Sequence, residues 1–291
     1  MSYRNSIGKV GTIGISRMVL TYLKTILRYG VSGALNPKSQ LFTLLTKINH
    51  LPYLASLPMY DWPEAKADND SFWLSVREPL TNVIDDLPSG LEQIAGQLLE
   101  AHWQKPNLLF SQSCWGPLKV GGLDYLEPLA QPCYSKYQGG NGSMYRSAII
   151  ARDGITVDVP THRGPTDLDG LLENRRLGYN HPTSLSGIVS LADDLQEELK
   201  NLQDYGVITG SHRQSIKMVA EGKVDFAAID CRSWAMAQNY EPSCKSCKVI
   251  GWTSERVGLP YVTSRHTEPQ VKAALRDALF AIGCYEELPL S

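Results

Sequence analysis

Apolar positions along the chain fall into short continuous runs and into stripes of helical period. Leu54–Pro58, Asn107–Ser111, Tyr145–Arg152, Arg176–Asn180, Val207–Thr209, Val224–Ile229, Lys248–Trp252 and Pro260–Thr263 read as strands, because they are short apolar runs bounded by turn residues. A helix is predicted from Pro63 to about Asp85, with Phe72, Trp73, Val76 and Leu80 on its inward face, and another over Leu91–Trp103 after Pro88-Ser89-Gly90. The longest stripe, Ile188, Leu191, Leu195, Leu199 and Leu202, predicts one helix over Gly187–Leu202. Further helices follow from Ser211 to Gly222, over Cys231–Gln238, and over Pro269–Gly283 with Gly283 as its C-cap. Strands alternating with helices predict an α/β fold with mainly parallel sheets.

The segment Tyr179–Trp234 concentrates the candidate chemistry. Thr183-Ser184-Leu185-Ser186-Gly187 opens one helix and Gly210-Ser211-His212-Arg213-Gln214-Ser215 opens the next. A helix start exposes unpaired N–H groups and the positive end of the dipole, which favours an anion. Ser184 or Ser186 caps the first helix while the spare hydroxyl is free to donate to a ligand, and Gly187 permits close approach to the backbone. Ser211 and Gln214 form a capping box, which places His212 in the first turn. Asp230 ends the apolar strand, where open α/β sheets place ligand groups, although it serves equally as the cap of the following helix.

The composition is that of an ordinary globular chain: 291 residues, 43% hydrophobic, net charge −2. This excludes disorder and a generally basic nucleic-acid binder. The charge is unevenly distributed. Seven Lys/Arg and no acid lie before Asp61, so the remainder carries 21 Lys/Arg against 30 acids. An anion site in that acidic body has to rely on local dipoles and donors. No apolar run approaches the ~18–20 residues of a membrane helix. The acid-free leader, 1–51, fits a targeting presequence, a mis-assigned start or a flexible basic extension alike.

There is no G-x-S-x-G, H-E-x-x-H, P-loop or G-x-G-x-x-G, and the six histidines lack ligand spacing. Neither a cofactor nor a metal site is therefore expected, and no catalytic residue is assigned. Cys244-Lys-Ser-Cys247 is one C-x-x-C without a second pair; Pro242 and Ser243 beside it suggest a surface loop holding a local disulfide or two thiols.

In that order, LPMYDWPE, LLFSQSCWGPL, YRSAIIAR, YNHPTSLSG, TGSHRQSIKMVAEGKVDFAAID and VIGWTSERVGLPYVTS resemble the solute-binding proteins of phosphonate and phosphate ABC importers. The resemblance covers Leu54 to the C-terminus. It implies a two-lobed type II periplasmic-binding-protein-like fold with two crossing strands at the hinge, one lobe holding 52–144 plus 246–291 and the other 145–245. It implies that Ser184, Ser186 and Gly187 hold the oxyanion, that Ser211 and His212 lie beside it, and that Asp230 meets a cationic or hydroxyl part of the solute. Tyr60, Ser111 and Gln112 would close from the opposite lobe, with Tyr145 and Ser147 at the crossing. Leu185 departs from the pattern, standing where the family often has a hydroxyl. The implied partners are a small oxyanion and an ABC permease, with no nucleic acid and no membrane span. The implied location is periplasmic, but the leader is not a recognisable secretion signal, so cytoplasmic or organelle-targeted locations stay open. Two other functions fit the same scaffold: an enzyme acting on a pyrimidine-type thiamine precursor, recruiting Cys114 or His212, and a ligand sensor without a permease.

Overall fold

A computed structural model of the chain describes residues 51–120, 124–152, 165–166 and 171–286; the basic leader, apart from Leu51, lies outside the described residues. Pro52–Ser291 forms one compact unit built on two larger sheets. The first has the strand order Leu54–Ala55, Leu108–Gln112, Tyr261–Ser264, Leu126–Ala130. The second runs Cys247–Trp252, Ser147–Arg152, Phe226–Asp230, Leu177–Tyr179, Val207–Ile208. Each sheet carries its own helices, and this makes the molecule two-lobed.

Both sheets are mixed, which corrects the expectation of mainly parallel pairing. Leu54–Ala55 pairs parallel with Leu108–Gln112, but Tyr261–Ser264 runs antiparallel to both of its neighbours. In the second sheet, Ser147–Arg152 is antiparallel to Phe226–Asp230 and to Cys247–Trp252. The cause is the chain path between the lobes. The outgoing segment Met144–Arg152 and the returning segment Cys247–Val257 run antiparallel, pairing Ala148 with Trp252 and Tyr145 with Arg256. A chain that leaves one lobe and later comes back necessarily adds opposed strands to both. These two segments are the crossing strands.

The apolar stripes explain the packing. Helix Lys66–Leu80 buries Trp73, Val76 and Leu80 against Phe110 and Tyr261, together with Val271, Leu275 and Leu279 of helix Pro269–Ala281. Trp73 stacks on Phe110 at 5.5 Å and Phe110 on Tyr261 at 5.4 Å; burying each such side chain contributes about 1.5–3 kcal/mol. In the second lobe, Ile188, Leu191 and Leu202 cover Ile149, Leu177 and Phe226. A third cluster draws on both lobes, joining Tyr60, Cys114 and Trp115 to Leu185, Ile216, Ile229 and Trp234.

Three predicted helices differ from those observed. The first opens as a 3-10 turn, Pro63–Ala65, and stops at Leu80, after which the chain folds back so that the Pro88 carbonyl accepts from Trp73 Nε1 (3.2 Å) and Arg77 Nε (3.0 Å). Of Leu91–Trp103 only a 3-10 turn and Leu99–Trp103 are helical, because the Glu92 amide is spent on the Ala55 carbonyl at 2.7 Å. The stripe over Gly187–Leu202 is interrupted. A π-turn, Leu185–Val189, leads into helix Ser190–Leu195; Gln196 is left-handed (φ 55°), and Leu199–Tyr205 is a separate helix. Asp193, Asp194, Glu197 and Glu198 crowd this break, where carboxylates oppose the negative end of the helix dipole. Asp194 turns away to accept from the Ser254 amide at 2.6 Å and from Arg256 at 2.9 Å. Strand Leu126–Ala130 and the hairpin Gly140–Tyr145 are additions that the apolar pattern did not predict.

The lobes meet closely at Gly116, where an added Cβ would lie 1.7 Å from the Thr183 carbonyl oxygen and 2.9 Å from the Leu185 amide. Both neighbours are backbone, so neither gives way. Gly116→Ala is expected to destabilise the folded unit by about 1–3 kcal/mol, the cost of overpacking. An unchanged thermal midpoint would show that the lobes are not held this close in solution.

Candidate functional site

Strand Phe226–Asp230 ends at the lobe junction, and Asp230 caps the helix that follows. Its Oδ1 accepts from the amides of Arg232 (3.1 Å) and Ser233 (2.9 Å) and from the Tyr60 hydroxyl of the other lobe (3.1 Å). Its Oδ2 lies 3.4 Å from Nε2 of His212. That histidine opens helix His212–Ala220, whose cap Ser211 accepts from the Gln214 amide at 3.1 Å. Ser186 closes the group from the π-turn, with Oγ 2.9 Å from His212 Nε2 and 3.4 Å from Ser184 Oγ. Ser184 is itself the cap of the turn and accepts from the Gly187 amide at 3.1 Å. Ser186 (3% exposed) and Asp230 (2%) are thus buried where the lobes meet.

The charge states follow from burial. Desolvation holds the His212 imidazole below its ordinary value and Asp230 only partly offsets this, so the ring is neutral at neutral pH. Burial, followed by the Asp230 charge, pushes the Tyr60 phenol well up, which keeps it a hydrogen-bond donor. Burial also pushes up the Cys114 thiol, whose sulfur accepts from the Leu185 amide at 3.4 Å across the lobe junction. An opposing-lobe thiol therefore occupies part of the mouth predicted for an anion. Ser186, His212 and Asp230 do not make a nucleophile relay. A relay uses both ring nitrogens, whereas here serine and carboxylate share Nε2 and the buried Nδ1 has no hydrogen-bond partner.

Other buried donors gather around this group. Tyr145 neighbours Ser186 and Cys114, and its hydroxyl makes no well-formed hydrogen bond. Ser147 pairs directly across the sheet with Asp230, so their side chains share a face, and its hydroxyl is likewise unpartnered. Trp115 Nε1, in the same apolar cluster, is a third. Each such orphan costs about 1–3 kcal/mol while it is unmet.

Of the residues singled out in the sequence, Tyr60, Tyr145, Ser184, Ser186, His212 and Asp230 come together here. Gly187 is adjacent, but the space beside it is filled, an added Cβ falling 1.9 Å from Asn180 Oδ1. Ser211 is spent as a cap. Ser111 points elsewhere, its hydroxyl bonded to Ser56 Oγ at 2.9 Å and to Trp103 Nε1 at 3.2 Å. Gln112 donates to the Leu259 carbonyl at 3.1 Å and borders a separate cavity of about 610 Å³. Neither of these last two joins the serine mouth, because both sit on a strand whose register is set by Tyr261–Ser264 pairing and not by the junction. Tyr134, which no sequence motif marks, bridges Tyr60 at 3.3 Å and the Leu259 amide at 3.1 Å; it follows a strand without apolar alternation. Pro242–Ser246 is a 3-10 turn with Pro242, Lys245 and Ser246 exposed, as expected of a surface segment, and its cysteines are two thiols with no disulfide, but Cys244 and Cys247 themselves are buried, Cys247 donating to the Ile216 carbonyl.

Residues 122–287 match the family described as ABC transporter, phosphonate, periplasmic substrate-binding protein. The chain belongs to that family. Among solved structures it is similar to PhnD1 of Prochlorococcus marinus in complex with methylphosphonate, at 16% identity and a TM-score of 0.57, over 78% of this chain and 83% of that one. A binding-protein component of an ABC phosphonate transporter from Pseudomonas aeruginosa aligns at 15% identity and a TM-score of 0.56, over 81% and 80%. A Xanthomonas citri protein bound to ATP aligns at 12% and 0.53, over 79% and 82%. At such identities the likeness establishes the two-lobed fold alone. No curated protein matches the sequence. The family consists of substrate-binding proteins, and no helix among the described residues is long and apolar enough to cross a membrane.

The depressed basicity of His212 gives a pH signature. His102, also buried, is held down by desolvation as well. Both take up a proton more readily unfolded than folded, so their contribution is present above the unfolded value of about 6.5 and is lost as pH falls below it. The thermal midpoint is expected to drop between about pH 7 and pH 5, and His212→Gln and His102→Gln should each flatten that slope. A midpoint independent of pH in the double variant and wild type alike would refute the assignment.

Proposed function

We propose that the chain binds a small phosphonate- or phosphate-like oxyanion between its lobes, as the substrate-binding component of an ABC-type importer, without catalysing a reaction. The observation that carries this is the convergence of Ser184, Ser186, His212, Tyr145 and Ser147 at one buried junction, with the Tyr145 and Ser147 hydroxyls of the outgoing crossing segment left unpaired. An oxyanion presents several acceptors in a small volume, which is the complement of such a donor set. Ser184 and Ser186 hold the oxyanion, His212 donates to it, and Tyr60 closes over it from the opposite lobe. Asp230 repels a bare anion, so it favours a solute that also carries an amino or hydroxyl group.

The lobe assignment belongs to this reading: 52–144 plus 246–291 form one lobe and 145–245 the other, moving as a hinge. Opening breaks Tyr60–Asp230, Leu185–Cys114 and the bidentate pair of Arg213 with Glu64 (3.0 Å to each oxygen). Of these, only the Arg213–Glu64 pair is partly solvated; the other two are buried. The enzymatic alternative wants a reactive thiolate or an activated serine; the protonated Cys114 and the shared Nε2 both weigh against it.

Ser186→Ala is expected to weaken methylphosphonate or 2-aminoethylphosphonate binding about tenfold, the scale of one hydrogen bond to a charged group. Titration calorimetry reads this directly, and unchanged affinity removes the serine mouth from the site. Asp230→Asn should cost the aminated solute more than methylphosphonate; equal losses would leave the carboxylate a purely structural cap.

A further inference from the structure

Beside the serine mouth lies the cavity of about 610 Å³, within the range of small-molecule sites. Tyr60 belongs to both, giving its hydroxyl to Asp230 while it borders the cavity. Leu57, Phe72, Tyr137 and Tyr261 line it from one side, and Arg232 and Met236 from the other. Most of this wall is apolar or aromatic, and one partly buried cation stands in it.

That cation is Arg232. Its guanidinium lies 4.0 Å over the Tyr60 ring, and it is paired with no carboxylate among the described residues. Tyr137, Tyr60 and Tyr261 surround it, and a guanidinium keeps its charge at ordinary pH despite burial. A guanidinium carries five donors, more than the neighbouring Tyr261 hydroxyl can meet, and it gains most from a planar carboxylate in bidentate contact. Exposed Lys136 and Asp68 also border the cavity, and their charges offset each other, so Arg232 sets the sign of the ligand. One net positive charge matches a monoanion. A phosphonate dianion would carry charge in excess of that net balance.

We propose that this cavity is a second binding site, for a small aromatic carboxylic acid whose carboxylate pairs with Arg232 and whose ring lies among Phe72, Tyr137 and Tyr261. Arg232 also donates its backbone amide to Asp230 at 3.1 Å and covers Tyr60. A ligand on Arg232 therefore braces the two residues that join the lobes. Occupancy of the cavity favours the closed arrangement.

The test is a calorimetric and thermal-shift comparison on the full chain of 2-naphthoate, the neutral 2-naphthamide and phenylphosphonate. The naphthoate is expected to bind and raise the melting temperature, the amide and the phosphonate to bind at least about tenfold more weakly at this site. Arg232→Gln should lower naphthoate affinity at least about tenfold. Because that variant sits next to Asp230, Met236→Trp provides a second probe: it fills the cavity, abolishing naphthoate binding while the ligand-free melting curve stays cooperative. Ser186→Ala leaves the naphthoate response intact, so the oxyanion reading and this one fail separately. Equal binding of acid and amide, an unchanged Arg232→Gln variant, or no response to the acid would each overturn the proposal.

Discussion

The junction depends on a single carboxylate, that of Asp230. One oxygen caps helix Cys231–Tyr240 and receives the Tyr60 hydroxyl from the opposite lobe; the other faces His212, which in turn meets Ser186. A buried carboxylate is costly unless its lone pairs are met, and here backbone amides and a phenol meet them. The same contacts that make the charge tolerable hold the strand end, three separate helical segments and the two lobes in register. The helix cap does not depend on Tyr60, since the Arg232 and Ser233 amides supply it.

Around that anchor the junction is built from neutral donors. Desolvation keeps His212 unprotonated and Tyr60, Tyr134 and Tyr145 as phenols. Neutral donors suit a body with a negative net charge, because they can meet an oxyanion without introducing a fixed counter-ion that would have to be solvated when the lobes part. Serine and carboxylate approach the same imidazole nitrogen, which is not the geometry of a Ser-His-Asp relay. The neighbouring cavity is the opposite in character, aromatic-walled with one guanidinium, and the two compartments share Tyr60 and meet at Asp230.

Much of this is legible in the residue pattern. Short apolar runs marked Ser147–Arg152 and Phe226–Asp230 because strands buried on both faces leave no polar alternation to obscure them. Ser184, Ser211 and Asp230 were readable as caps because capping is a local hydrogen bond between near neighbours in sequence. Leu126–Ala130 escaped because Glu127 and Pro128 interrupt its apolar run, and its strand character comes from pairing with Tyr261–Ser264, far along the chain. The break at Gln196 escaped because the apolar stripe continues through it, and only the pull of Arg256 and Ser254 on Asp194 shows why the helix ends.

Local chemistry thus determined the elements, the helix mouths and the acid at the strand end, since each rests on residues a few positions apart. The tertiary structure alone decided which hydroxyls face the junction. Ser111 and Gln112 turned to other partners, Cys114 moved into the mouth, and Arg232 was left facing an aromatic cavity. Those outcomes depend on sheet register and on how closely Gly116 lets the lobes approach, and both are set by contacts between residues distant in sequence, which no local pattern encodes.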